Sequence, residues 1–157
     1  MKPEIKLGRL CKGNRWCIAV AESCTGGMIG ERITSVSGSS EYFAGGVIAY
    51  SNELKTALLG VPSELIDDEG AVSEAVARAM AVGIVCATGV QVGLSVTGVA
   101  GPGRSDQKPP GTVHIAVMTP KGLETKNLSL SGSRKEIREL TASEALEFLV
   151  SALEKTD

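Results

Sequence analysis

The chain predicts a three-layer α/β/α sandwich on a mostly parallel, mixed sheet, folded as a single domain over residues 1–157. Three observations predict it. Short, continuous apolar runs alternate with segments of helical periodicity as far as residue 97. Two later runs flank Pro120-Lys121-Gly122, the pattern of a hairpin. With 157 residues and 43% hydrophobic content, the chain is long and apolar enough for one core.

Residues 4–12 read as a short amphipathic helix closed by Gly13-Asn14. The run 17–21, CIAVA, is too short and too continuous for an amphipathic helix and reads as a buried strand. A helix then carries Ile29, Ile33 and Val36 on one face, with Thr25 as its expected N-cap and Gly38-Ser39-Ser40 as its end. Residues 47–50 form the second strand, and Ser51 caps a helix running to Leu59. Pro62 and the run Asp67-Asp68-Glu69-Gly70 mark a loop. Residues 74–87 are helical, with Val76, Met80, Gly83, Ile84 and Ala87 on one face, and 93–97 is the third strand. The hairpin pairs 112–118 with 123–130. The last helix opens with Ser133-Arg134-Lys135-Glu136, an S-x-x-E capping box, and carries the stripe Ala142, Ala145, Leu146, Leu149 and Leu153.

Composition narrows the function. A net charge of −2 and only 3% aromatic residues leave no basic, aromatic-interleaved surface for nucleic acid. No apolar run approaches the roughly 20 residues of a membrane span, and no secretory-leader pattern opens the chain, so a cytoplasmic setting is expected. The four cysteines, at 11, 17, 24 and 86, form no C-x-x-C pair, and His114 stands alone, so no metal site is expected and the thiols read as free and mostly buried.

The stretch TGVAGPGRS, residues 97–105, nearly spells a phosphate-binding loop. Arg104 replaces the lysine, however, and the prolines at 109 and 110 leave no room for the helix that such a loop must open. The dinucleotide fingerprint fails as well, because the order here is G-x-x-G-x-G with Pro102 inside it. A glycine-rich loop after a strand, beginning at Thr97 and Gly98, still suits close backbone approach by a small ligand.

Ligands of open α/β sheets bind at the carboxyl ends of strands, and three loops fall there: 22–27, 50–55 and 97–111. In the first, the N–H groups of Gly26 and Gly27 and the Thr25 hydroxyl form either an anion site at a helix start or a plain turn. Cys24 sits at the same helix start, but no histidine in these loops serves as its base. In the second, Lys55 falls in the first turn of a helix and leans back toward Tyr50. The helix dipole there favours a neutral amine, the form a serine nucleophile needs as base; a surface lysine paired with Glu53 or Glu69 is the alternative. Arg134 and Arg138, spaced i, i+4, read either as a phosphate clamp or as a solvated face.

The segments AESCTGG (21–27), GSSEYFAGGVIAYSNELKTALLGV (38–61), GAVSEAVA (70–77), TGVAGPG (97–103), KPPGTV (108–113) and SGSRKEIR (131–138) together resemble the CinA C-terminal-domain family, in order and over nearly the whole chain. The resemblance implies a stand-alone, homodimeric hydrolase that converts nicotinamide mononucleotide (NMN) and water to nicotinic acid mononucleotide and ammonia. It implies no metal, no organic cofactor, and neither nucleic acid nor membrane as partner. Carried over by motif, Ser40 is the expected nucleophile, Lys55 its general base and Tyr50 a proton relay. Ser23, Thr25 and Thr97 are expected to line the site and Arg134 to contact the substrate. The family pattern commonly has glycine at Arg104, valine at Pro110 and aspartate at Ser133; those departures motivate the alternative of a catalytically silent nucleotide-binding domain.

Overall fold

Alternating strands and helices in the first half of the chain pair in parallel, and the late hairpin adds an antiparallel end. The computed structural model, which describes residues 1–156, runs α1 (Pro3–Asn14), β1 (Ile18–Glu22), α2 (Met28–Thr34), a 3-10 turn (Ser39–Glu41), β2 (Phe43–Ile48), α3 (Asn52–Leu59), α4 (Ser63–Glu69), α5 (Glu74–Thr88), β3 (Val92–Gly98), β4 (Thr112–Thr119), β5 (Gly122–Ser129) and α6 (Arg134–Thr156). One sheet has the order β2-β1-β3-β4-β5, with β2, β1 and β3 mutually parallel. β4 is antiparallel to both neighbours, so β5 again runs with β3, and four of the five strands share a direction. The expected three layers are present.

β1 is buried along its whole length, which is why its sequence is a continuous apolar run without alternation. Ile18 and Val20 face one layer, where Leu7 and Cys11 of α1, Ile29 and Ile33 of α2, and Leu146, Leu149 and Leu153 of α6 close over the sheet. Ala19 and Ala21 face the other, covered by Leu59 of α3, Ile66 of α4, and Val76, Met80 and Ile84 of α5. Each fully buried Leu or Ile of this kind contributes roughly 1.5–3 kcal/mol. The α6 capping box is formed: Glu136 N–H donates to Ser133 Oγ at 3.2 Å, and Ser133 N–H donates to Glu136 Oε1 at 3.1 Å.

Four local expectations are corrected. Residues 63–69 are helical, because the Pro62 carbonyl accepts the N–H groups of Leu65 and Ile66 and Ile66 anchors the turn in the core. β2 covers 43–48, not 47–50, since Gly45 and Gly46 sit in register beside Ala19 and Val20 despite their poor strand propensity. Thr25 does not cap α2; the N-cap position is Gly27. Two of the four thiols, Cys17 and Cys86, are exposed. Among the described residues, no helix is long and apolar enough to cross a membrane.

Candidate active site

The parallel strands β2, β1 and β3 all end at one rim of the sheet, and a cavity of about 360 Å³ opens there. Its lining includes Ser23 just past β1, Tyr50 and Lys55 after β2, Thr97 at the end of β3, Gly101 in the following loop and Arg134 at the start of α6.

Lys55 is the pivot. Ser51 caps α3 by accepting the Leu54 N–H at 3.2 Å, which sets the helix so that Lys55, one turn in, folds back beneath the strand ends. Only 2% of the residue is exposed. Its Nζ lies 2.9 Å from the Ala49 carbonyl, 3.1 Å from the Tyr50 carbonyl and 3.0 Å from Ser23 Oγ. Burial holds its pKa below the ordinary lysine value of 10.5, against weaker opposing pulls from Cys24, Asp106 and Glu53. A neutral amine has two N–H bonds and one lone pair. With the two carbonyls taking the hydrogens, the lone pair is left for the Ser23 hydroxyl proton.

Arg134 spans the mouth. Its Nη1 donates to the Gly101 carbonyl at 2.6 Å and its Nη2 to the Tyr50 hydroxyl at 3.1 Å, which places a cation at the cavity rim. Thr97 is buried and donates its hydroxyl to the Ala71 carbonyl at 2.9 Å, so it shapes the floor. Gly98 leaves no room for a side chain: a Cβ would meet Val113 Cγ2 at 2.9 Å and Cys24 Sγ at 3.2 Å. The 99–111 loop is held down by Asp106, whose Oδ2 accepts the Val72 N–H at 2.8 Å. No helix follows it; Ser105 and Lys108 bridge each other instead. Arg104 donates from its Nη2 to the Gln107 carbonyl of its own loop and is not among the lining residues, although its neighbours Gly103 and Ser105 are.

The structure redistributes several predicted site residues. Thr25, Gly26 and Gly27 do not line the cavity. The helix start they were expected to offer to an anion is filled by the chain's own carboxylate: Glu22, 2% exposed, accepts the N–H groups of Gly27 at 3.1 Å, Ile29 at 3.0 Å and Gly30 at 3.0 Å. The backbone N–H groups there are engaged, and of the side-chain donors there only the buried Thr25 hydroxyl is without a hydrogen-bond partner among the described residues. Arg138 is no phosphate clamp in this arrangement, because its Nε and Nη2 donate to the carbonyls of Cys24 at 3.0 Å and Thr25 at 3.1 Å and pin the turn that carries Ser23. Tyr50 meets Lys55 through its backbone carbonyl while its phenol faces Arg134, so no hydrogen bond links the hydroxyl to the lysine. Burial pushes the Cys24 thiol up to about 12, which removes it as a thiolate.

Ser40 is placed elsewhere. It is an exposed residue of the 3-10 turn before β2, whereas Tyr50 and Lys55 follow that strand. Six residues of β2, at about 3.3 Å each, separate the two ends by roughly 20 Å. Within one chain the serine beside Lys55 is Ser23. The signal for it was available: a serine directly after a buried strand whose parallel neighbour leads into the lysine helix.

Comparison with known proteins agrees with the fold. The family model described as CinA C-terminal domain matches residues 2–153. A CinA-like protein of Desulfotalea psychrophila is 55% identical over 133 residues, 84% of this chain and 32% of that protein. Another from Geobacter sulfurreducens is 49% identical over 144 residues, 91% of this chain and 35% of that one. The chain thus spans about a third of the length of these curated relatives. Two crystal structures superpose closely. The competence damage-inducible protein A of Klebsiella pneumoniae has a TM-score of 0.93 at 30% identity, covering 97% of this chain and 95% of that one. The competence/damage-inducible protein CihA of Agrobacterium tumefaciens has a TM-score of 0.90 at 35% identity, with the same coverage. The chain belongs to the CinA C-terminal domain family.

Proposed function

We propose that this chain is an amidohydrolase that deamidates nicotinamide mononucleotide, with Ser23 as nucleophile and Lys55 as general base. The observation that carries the chemistry is the buried Lys55 Nζ, 3.0 Å from Ser23 Oγ and without a carboxylate in ion-pair range among the described residues. The NMN assignment rests on the family resemblance, joined by a rim cation, Arg134, suited to a phosphate.

In this mechanism Ser23 Oγ attacks the carboxamide carbon as its proton passes to the Lys55 amine. Backbone N–H groups of the glycine-rich loop at Gly98, Gly101 and Gly103 stabilise the oxyanion. The lysine returns the proton to the departing nitrogen as the C–N bond breaks, releasing ammonia and leaving an ester on Ser23. Water, deprotonated by Lys55, then attacks the ester, and nicotinic acid mononucleotide leaves with the serine restored. Arg134 holds the substrate phosphate, and Tyr50 orients Arg134 in place of relaying a proton.

Two departures from the family pattern bear little on this reading. Arg104 is satisfied within its loop, and Ser133 serves the α6 capping box. Ammonia release from NMN tests the proposal. Ser23→Ala and Lys55→Ala are expected to lower kcat by roughly 10²–10⁴-fold while remaining folded, and Ser40→Ala to retain more of it than either. A fully active Ser23→Ala protein overturns the nucleophile. NMN binding without ammonia release by the native chain would return the silent binding domain.

A further inference from the structure

Two arginines open α6, and they reach different parts of the site. Arg134 spans the cavity mouth, where it meets Gly101 and Tyr50. Arg138, one turn further on, does not line the cavity. It also belongs to none of the ion pairs among the described residues, although Glu136 and Glu139 stand beside it in sequence. Its guanidinium is turned instead to the backbone that follows β1: Nε donates to the Cys24 carbonyl at 3.0 Å and Nη2 to the Thr25 carbonyl at 3.1 Å. One edge of a planar guanidinium carries two parallel N–H bonds, and two successive carbonyls match that fork.

Gly26 leaves room for this approach. It takes a φ of +59°, and a Cβ on it would lie 3.1 Å from Arg138 Nη2. The rest of the turn is held locally. The Ser23 N–H donates to the Val96 carbonyl at 3.2 Å, and the Ser23 carbonyl accepts the Gly26 N–H at 3.1 Å. Glu22 holds the N–H groups of Gly27, Ile29 and Gly30, all beyond the turn. Arg138 is the contact that arrives from a distant element, 114 residues after Cys24, and it grips the two carbonyls that come directly after Ser23.

We infer that Arg138 is a positioning residue for the reaction: it fixes the turn after β1 so that Ser23 Oγ stays within reach of the Lys55 amine, and it does not hold substrate. This role rests on Ser23 being the nucleophile, as proposed above. Ser23 Oγ and Lys55 Nζ are 3.0 Å apart but leave the sheet on different loops, so their alignment depends on both backbones. Lys55 is anchored by the carbonyls of Ala49 and Tyr50. Ser23 has only its turn to place it. A shift of about 1 Å between reacting groups costs on the order of 10²-fold in rate. The two arginines thereby divide between substrate and nucleophile, and their loss separates in kinetics, with KM affected at Arg134 and kcat at Arg138.

The test compares the native chain with Arg138→Ala and Arg138→Lys. Ammonia release from NMN gives kcat and KM, and urea unfolding gives the stability of each protein. The rate at which phenylmethylsulfonyl fluoride modifies Ser23, read by peptide mass mapping, follows the nucleophile whether or not NMN is the substrate. Arg138→Ala is expected to lower kcat by roughly 10–100-fold with KM changed less than about threefold, and to slow Ser23 modification in step. Guanidinium chloride, far below denaturing concentrations, is expected to restore part of that kcat, whereas a merely destabilised protein would lose activity on its addition. Arg138→Lys keeps the charge without the fork and is expected to stay well below the native kcat, which carries the test where the alanine variant fails to fold. Native kcat and native Ser23 modification in both variants overturn the inference. So does a raised KM at unchanged kcat, which would make Arg138 a substrate contact. So does a loss of activity that follows the unfolded fraction and that guanidinium does not restore. A native chain modified at Ser40 and not at Ser23 overturns the nucleophile and this inference with it, and that outcome is read without any variant.

Discussion

Replacing Glu22 tests whether the apparent anion site is an internal cap. Its carboxylate accepts three backbone N–H groups, of Gly27, Ile29 and Gly30, at 3.0–3.1 Å, and the residue is 2% exposed. A hydrogen bond to a charged group contributes about 1.5–3 kcal/mol net, so three set an upper bound of about 4.5–9 kcal/mol. Two effects reduce that sum. Removing the carboxylate relieves its burial cost of several kcal/mol, and Gly27 and Gly30 are only partly buried, so water re-solvates their N–H groups; Ile29 N–H is buried and is left without a partner. Glu22→Ala is therefore expected to cost about 3 kcal/mol, in line with about 1 kcal/mol for each lost capping bond. For a chain of 157 residues that lowers Tm by roughly 6–12 °C. Glu22→Gln keeps one acceptor oxygen but turns an NH2 group toward a backbone N–H, and is expected to cost about half as much. Urea denaturation followed by far-UV circular dichroism measures both. Added formate is expected to restore part of the stability of Glu22→Ala alone, by refilling the vacated cradle. A loss below about 1 kcal/mol in Glu22→Ala would refute the reasoning, since three donors would then have needed no internal acceptor.

Lys55 binds fewer protons in the folded than in the unfolded chain between its lowered folded pKa and 10.5, so its contribution to stability rises with pH across that window. Lys55→Met is expected to flatten the dependence of the urea midpoint on pH there, and equal slopes in the two proteins would contradict the burial argument. Iodoacetamide at mildly alkaline pH is expected to label the exposed Cys17 and Cys86 and to spare the buried Cys24, whose thiol is held near 12; peptide mass mapping reads this directly. Gly83→Ala would drive a Cβ into the Leu59 carbonyl where α5 crosses α3, and a loss of about 2 kcal/mol in thermal or urea unfolding is the expected cost of the forced shift.

What could be read from the residues, and what could not, divides along physical lines. β1, α5, the hairpin and α6 were legible because each is long or continuous enough for its apolar period to show. α4 was not, because SELIDDE has one inward apolar residue, Ile66, and an acidic run that reads as solvent-exposed turn. β2 was misplaced for the opposite reason. Gly46 is required because a Cβ there would strike Val20, and Gly45 takes a positive φ of 139°; neither fact is contained in local propensity. At the site, the three converging loops and Lys55 followed from strand order alone. Glu22 did not: its role depends on the side chain reaching over the next eight residues, and an acid at a strand end looks the same when it faces solvent.

Strand direction explains which residues meet and which do not. Because β2, β1 and β3 are parallel, Ser23, the Tyr50–Lys55 segment and Thr97 all leave the sheet at one rim. The reversal into β4 keeps the 99–111 connection at that same rim, which is why the glycine-rich loop covers the cavity without opening a helix. β5 then runs with β3 and ends beside them, so Arg134, five residues after its last residue Ser129, returns to the rim although it is distant in sequence. Ser40 precedes β2 and is therefore directed to the far end of its own sheet. For Ser40 to act on Lys55 the chain would have to borrow it from another copy. If Ser23→Ala proved active and Ser40→Ala inactive, strand direction would require the nucleophile to come from a second chain, with Lys55 of this one kept as the base.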